Sequence, residues 1–154
     1  MKKTVATAAA SLLLLGIAGT TPAAAYHLIP ENTTFEGTGK TSATKSGISL
    51  ACDAVLEGSV DSKGVGSVTG GSFTGQLGCT SVQLQNLPWK SVAKKATTAI
   101  ISNVTFSSPI GNCGPGKLKV KVKNGKITFT DAALPGNCTI SGSIKTQPAI
   151  AIVP

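Results

Sequence analysis

Few side chains in this chain are suited to chemistry, and the most informative are four cysteines. Cys52, Cys79, Cys113 and Cys138 stand 27, 34 and 25 residues apart. Zinc sites use Cys pairs only a few residues apart, so these spacings point away from a metal. An even set in a chain with an export signal points to two disulfides. Oxidised in this way, the cysteines offer no thiolate nucleophile. His27 is the sole histidine and lies next to the predicted mature N-terminus, with no fixed partner for acid–base work. Ser and Thr are plentiful, yet no G-x-S-x-G elbow occurs. Asp53 and Glu57 share a parity on one predicted strand, which sets them ~13 Å apart. A glycosidase pair needs ~5–9.5 Å. Calcium loops of the D-x-D type are absent too. No catalytic residue, metal ligand or cofactor is therefore assigned.

Two stretches could bind rather than react. Lys117, Lys119, Lys121, Lys123 and Lys126 form a row that could meet an anionic surface such as an acidic polysaccharide. The simpler reading is a solvated face that also blocks edge-to-edge strand pairing. Trp89, the only Trp, sits in Asn86-Leu87-Pro88-Trp89-Lys90. Leu87, Pro88, Trp89 and Val92 could form an apolar contact for oil or lipid, rimmed by Lys90, Lys94 and Lys95. The alternative is a Trp that plugs the end of a core.

The stretch Lys117 to Thr130 shows what positions such residues. Leu118, Val120 and Val122 alternate with lysines, which puts one set on each face of a strand. Asn124-Gly125 is the signature of a type I′ turn. That turn sets Lys123 opposite Lys126, Val122 opposite Ile127, Lys121 opposite Thr128, Val120 opposite Phe129 and Lys119 opposite Thr130. A slip of one residue would reverse every face. Extended further, the register places Cys113 opposite position 136, beside Cys138.

Read in order, the chain opens on a secretory leader. Lys2 and Lys3 precede an apolar run from Val5 to Ile17, and Ala23-Ala24-Ala25 is a small-residue cleavage site. Cleavage after Ala25 makes the protein secreted or periplasmic and takes its net charge from +8 to +6. No later segment is long and apolar enough to span a membrane as a helix. All 14 basic residues are lysine. Without Arg forks the charge argues for general anion attraction, not a specific nucleic-acid site.

After the leader, residues 26–154 read as a single all-β domain. Strands are expected over Thr33–Gly39, Ile48–Val60, Val65–Thr69, around Val82–Leu84, Thr98–Phe106, the Lys hairpin and Gly136–Ile144. Gly39 to Ser46 reads as a polar loop, and Lys94-Lys95 as part of a connection. Gly70-Gly71 marks a bulge. Tyr26 to Asn32 is a leader or first strand, and Ile150 to Val153 a short apolar tail. Short strands with frequent turns, and no sustained helical period, indicate an antiparallel β-sandwich or barrel. Cys52, Cys79 and Pro88 recur as Cys113, Cys138 and Pro148 at offsets of 61, 59 and 60 residues. Two related halves, about 33–90 and 98–154, would explain this; so would the general likeness of β hairpins. The half-repeat and the hairpin register together predict Cys52–Cys79 and Cys113–Cys138 disulfides.

Several short motifs carry a resemblance. They are Thr34-Phe35 with Gly37-Thr38-Gly39, Gly47-Ile48 leading to Cys52, and Leu56-x-Gly58 before a Gly turn. Val68-Thr69-Gly70 before Phe73, then Cys79 and Leu87-Pro88-Trp89, continue it. With the leader, they resemble the secreted alkane-oxidation activators of proteobacteria, known from pseudomonads. The resemblance implies a non-enzymatic accessory protein that aids dispersal or uptake of hydrocarbon at the cell surface, and it supplies no catalytic residues. A fimbrial or matrix-fibre subunit that self-associates by exchanging its apolar terminal segment is the rival reading. A small secreted hydrolase ranks last, because it lacks a base.

Overall fold

Asn124 and Gly125 take the positive φ angles, 51° and 74°, that a type I′ turn requires. The turn joins two of eleven strands in a computed structural model that describes residues 25–154. The predicted leader therefore lies outside the described residues, apart from Ala25. In chain order the strands begin with β1 (His27–Ile29), β2 (Thr33–Lys45), β3 (Ile48–Val60) and β4 (Gly66–Gly75). A 3-10 turn, Cys79–Ser81, leads to β5 (Gln83–Gln85), β6 (Trp89–Lys95) and β7 (Thr98–Ser107). The Lys hairpin supplies β8 (Cys113–Lys123) and β9 (Lys126–Leu134). The chain then runs through β10 (Cys138–Gln147) and β11 (Ala151–Val153).

Eight of these strands close on themselves. The order round the wall is β7-β6-β4-β3-β2-β10-β9-β8, and β8 pairs back onto β7. Every ladder is antiparallel. Of the two architectures that short alternating strands allow, the barrel is the one formed, and closure pairs every wall strand on both sides along at least part of its length. Residues 33–90 and 98–154 share this wall, meeting where β2 pairs β10 and β6 pairs β7. β1 and β11 form a separate two-stranded ribbon over one end, with Leu28 and Ile150 buried beneath it. Leu28 N–H donates to Gly64 O and Gly125 N–H to Ile150 O, which seats the ribbon on the β3–β4 and β8–β9 turns.

The strand faces follow period two. On β3, Leu50, Cys52, Ala54, Gly58 and Val60 are buried, while Asp53 and Glu57 are exposed. On β8, Leu118, Val120 and Val122 are buried between exposed lysines. Lys123↔Lys126, Val122↔Ile127 and Lys121↔Thr128 pair as the turn dictates. The two outer pairs expected of this hairpin do not form. β9 instead turns towards β10, bulging between Ile140 and Gly142. At that bulge Phe129 lies across Gly142, where a Cβ would come within 2.5 Å of the ring. A glycine there lets the aromatic ring cover the backbone.

Two segments expected to be irregular are strand. Gly39 to Lys45 continues β2 and pairs residue by residue with both β3 and β10. Lys94 and Lys95 end β6, a strand not anticipated from Trp89 onward. The predicted bulge at Gly70-Gly71 is present one residue earlier, where Glu57 pairs Gly70 but Gly58 pairs Val68.

The β3–β4 turn is held by Asp61. Its carboxylate accepts the N–H groups of Val65, at 2.9 Å, and Lys63, at 2.8 Å. Those bonds, that to Val65 foremost, hold its pKa below the ordinary 3.8. A depressed acid contributes its stability fully above the ordinary pKa and loses it as pH falls through the folded value. Titration followed by NMR should show Asp61 ionising below free Asp. Asp61→Asn should remove this part of the acid sensitivity. A midpoint at or above the free value would mean that the two N–H bonds do not persist in solution.

Candidate functional site

The inward faces of the wall meet in a lumen. Phe35, Leu56, Phe73, Leu84, Trp89, Val104, Phe106, Leu118, Val120, Ile140 and Ile144 are among its lining residues. It holds an apolar cavity of about 130 Å³. An eight-stranded barrel is at the size where side chains either fill the interior or leave room for one small ligand. Here the inward residues of β2 include Gly37, Thr41 and Ala43, and β3 adds Ala54 and Gly58, which are too small to fill it. Trp89 forms part of the lining with 6% of its surface exposed. Its indole N–H donates to Gln85 O at 2.7 Å, so the polar edge is satisfied while the ring faces the lumen.

No titratable side chain lines the cavity. Its buried hydroxyls are already engaged. Thr146 Oγ1 donates to Gly125 O at 3.1 Å and accepts from Ile150 N–H at 2.9 Å. Ser67 Oγ accepts from Lys90 Nζ at 2.9 Å. Among the described residues no buried side-chain nitrogen or oxygen lacks a partner. The lumen is therefore suited to apolar matter and presents no charged group to a polar head.

Both disulfides lie at the end of the barrel away from the ribbon. Cys52 joins Cys79 and Cys113 joins Cys138, with Cα separations of 5.7 and 5.8 Å. These are the pairs that the half-repeat predicted. The second is not reached by extending the hairpin ladder, since that ladder stops at Lys121↔Thr128. It ties the start of β8 to the start of β10 where β8 and β9 have parted. Gly114 N–H donates to Pro135 O beside it. Lys45 Nζ adds bonds to the carbonyls of Asn112, at 3.0 Å, and Gly136.

The other residues singled out in the sequence are dispersed. The expectation that Trp89 itself meets an oil surface fails, because β6 alternation turns Trp89 and Ala93 inward with Ser91 half-buried. Lys90, Val92 and Lys94 face out instead. Leu87, at 37% exposure, Val92, at 38%, and Pro88 remain at the surface. Lys117, Lys119, Lys121, Lys123 and Lys126 are all exposed on β8 and β9. Lys121, Lys123, Asn124, Lys126 and Thr128 border a shallow depression there. Asp53 is paired with Lys40 at 2.7 Å, and His27 faces Glu31 at 3.5 Å. The apolar tail that strand exchange would donate is occupied at home, since Ala151, Ile152 and Val153 pair with β1. No helix among the described residues is long and apolar enough to cross a membrane. The lumen itself escaped the sequence reading. Its signal was the run of small residues at inward positions of β2, which period two alone reads as weak strand.

The described residues form a closed, disulfide-stapled antiparallel barrel around an apolar lumen. Within that class of barrel the chain belongs to a particular family. Residues 1–154 match the model of the alkane oxidation protein activator family, PraA/PraB-like. No curated protein and no solved structure matches the chain.

Proposed function

We propose that the protein is an exported, non-enzymatic accessory factor that binds hydrocarbon and aids its dispersal or uptake at the cell surface. The observation that carries this reading is the apolar lumen, bare of titratable groups, in a chain of an alkane-oxidation family. Two closed disulfides with no free cysteine fit an oxidising compartment. They support export, with Ala25 as the expected cleavage site. Exposed Leu87, Pro88 and Val92, rimmed by Lys90, Lys94 and Lys95, supply a first contact with an oil or lipid surface. The lysine face of β8 and β9 is available to anionic cell-surface polysaccharide.

The test uses protein collected after export and equilibrated with n-hexadecane. The aqueous phase is then extracted and its alkane measured by gas chromatography. Alkane should enter the aqueous phase in proportion to protein and be recovered chemically unchanged, and N-terminal sequencing should begin at Tyr26. An aqueous phase no richer than buffer, or recovery of an oxidised product, would overturn the reading.

A further inference from the structure

We propose that the lumen is a subsite for the terminal segment of a saturated alkyl chain, admitted sideways through a seam between β4 and β5. This rests on the reading that the protein handles hydrocarbon, and it adds where the chain enters, how much is enclosed and what is refused.

Volume sets the first limit. A dry cavity of about 150 Å³ takes one benzene. The 130 Å³ here holds a few carbons. A long chain must leave most of its length outside, so the wall needs an opening. The ribbon closes one end over Leu28 and Ile150. The disulfides and the Lys45 bonds draw the other end together.

The wall lacks a ladder in two places. β8 and β9 part beyond Lys121↔Thr128, where the Cys113–Cys138 bridge and the Gly114 N–H to Pro135 O bond draw the gap together. A second gap, beside the lumen, has no such tie among the described residues. β4 pairs with β6 only over Gly66–Val68, and from Thr69 to Gly75 its one partner is β3. β5 pairs only with β7. Between those two edges no ladder forms among the described residues. The seam is closed by side chains instead. Leu84 lies over Gly71, its Cδ1 3.0 Å from where a Cβ would stand. Phe73 and Leu84 both line the lumen and are only half-buried. A side chain swings aside on a far shorter timescale than a strand ladder breaks. Gly70, Gly71 and Ser72 leave little bulk on the β4 edge.

Chemistry sets the second limit. Neither β4 nor β5 carries a lysine or arginine. Glu57 stands beside Gly70, its Oε2 3.3 Å from where a Cβ would lie. The lysine row stands on β8 and β9, and β9 is four places from β4 in the eight-strand order. On neighbouring β6, Lys90 stays outside the wall, bonded to Ser67 Oγ, and no charged side chain lines the lumen, so a carboxylate that enters stays unpaired and desolvating it is costly. The hydrocarbon end is thus selected over the polar head.

Trp89 lines the cavity as the only indole, so its emission reads occupancy directly. The exported chain is titrated with n-hexane and, separately, with hexanoate at pH 7. Ala43, on the lumen wall, is replaced by Leu to fill the space, and Leu84 by Ala to loosen the seam. Hexane should saturate at one per chain, and hexanoate should bind at least tenfold more weakly. Ala43→Leu should weaken hexane at least tenfold, and Leu84→Ala should speed its association at least threefold. Equal binding of hexanoate, or Ala43→Leu binding hexane as the parent does, overturns the chain-end site. If hexadecane is still carried into water in that case, hydrocarbon handling stands and only the subsite falls. If neither alkane associates, both fall together. Should Ala43→Leu fail to fold, the hexane–hexanoate ratio and the Leu84→Ala rate decide.

Discussion

Val120→Asp is expected to destabilise the barrel by several kcal/mol, enough to unfold much of the population. Val120 is 1% exposed, sits mid-strand on β8 opposite Ala99 of β7, and lines the lumen. An aspartate there finds no cation, because the lysines of β8 point outward and no charged side chain lines the lumen. A buried, unpaired carboxylate either stays charged at great cost or takes up a proton, and either way costs several kcal/mol. Domains of this kind have a total stability of only ~5–15 kcal/mol. One residue along, Lys121→Thr should change stability by less than ~0.5 kcal/mol. Lys121 is exposed between Thr98 and Thr128, and threonine suits a strand. Guanidinium melts of the two variants give the comparison. Equal midpoint shifts would mean that the faces of β8 are misassigned.

The same contrast explains what could be read from the sequence. β3 and β8 were legible because large apolar residues alternate with charges, so period two fixes both strand and facing. The bounds of β3, Ile48–Val60, coincide with the expected strand. β2 and β6 were harder. Lys40 to Lys45 reads K-T-S-A-T-K, and the inward positions there are Thr41 and Ala43. Small inward residues leave a weak hydrophobic signal, and the same smallness opens the lumen. In β6 the inward set is Trp89, Ser91 and Ala93, while lysines flank Val92 outside, so the segment resembles a charged connection with an apolar patch. Of the two readings open for Trp89, the buried one is formed, and Leu87, Pro88 and Val92 stay at the surface without it. The disulfide partners were legible from the half-repeat, but the reason for their position was not. Each sits next to a place where a ladder stops short, and ladder ends depend on the curvature of a closed wall, which no local pattern records.

That placement sets the second expectation. Cys113→Ala with Cys138→Ala, and Cys52→Ala with Cys79→Ala, should each cost ~3 kcal/mol. The bridges span 25 and 27 residues, so the chain-entropy account assigns them nearly equal stabilisation through the unfolded state. Cysteines must be removed in pairs, because a single remaining thiol would reshuffle with the intact bridge. Denaturant melts measure the loss, and a cost under ~1 kcal/mol would refute the assignment of these bridges as principal staples. The folded states should differ more than the stabilities. Without Cys113–Cys138, the start of β8 and the far end of β9 have only the Lys121–Lys123 ladder and contacts such as Gly114 N–H to Pro135 O between them. Amide exchange should rise there. Without Cys52–Cys79, the 3-10 turn is freed from β3, and β5 keeps only its three-residue ladder to β7. Exchange should then rise over Gly71–Gly75 and at Leu84, and hexane should reach Trp89 faster than in the parent. If both double variants loosen the same amides, the bridges act on the barrel as a whole. If each loosens its own seam, the Cys52–Cys79 bridge governs how readily the wall opens beside the lumen.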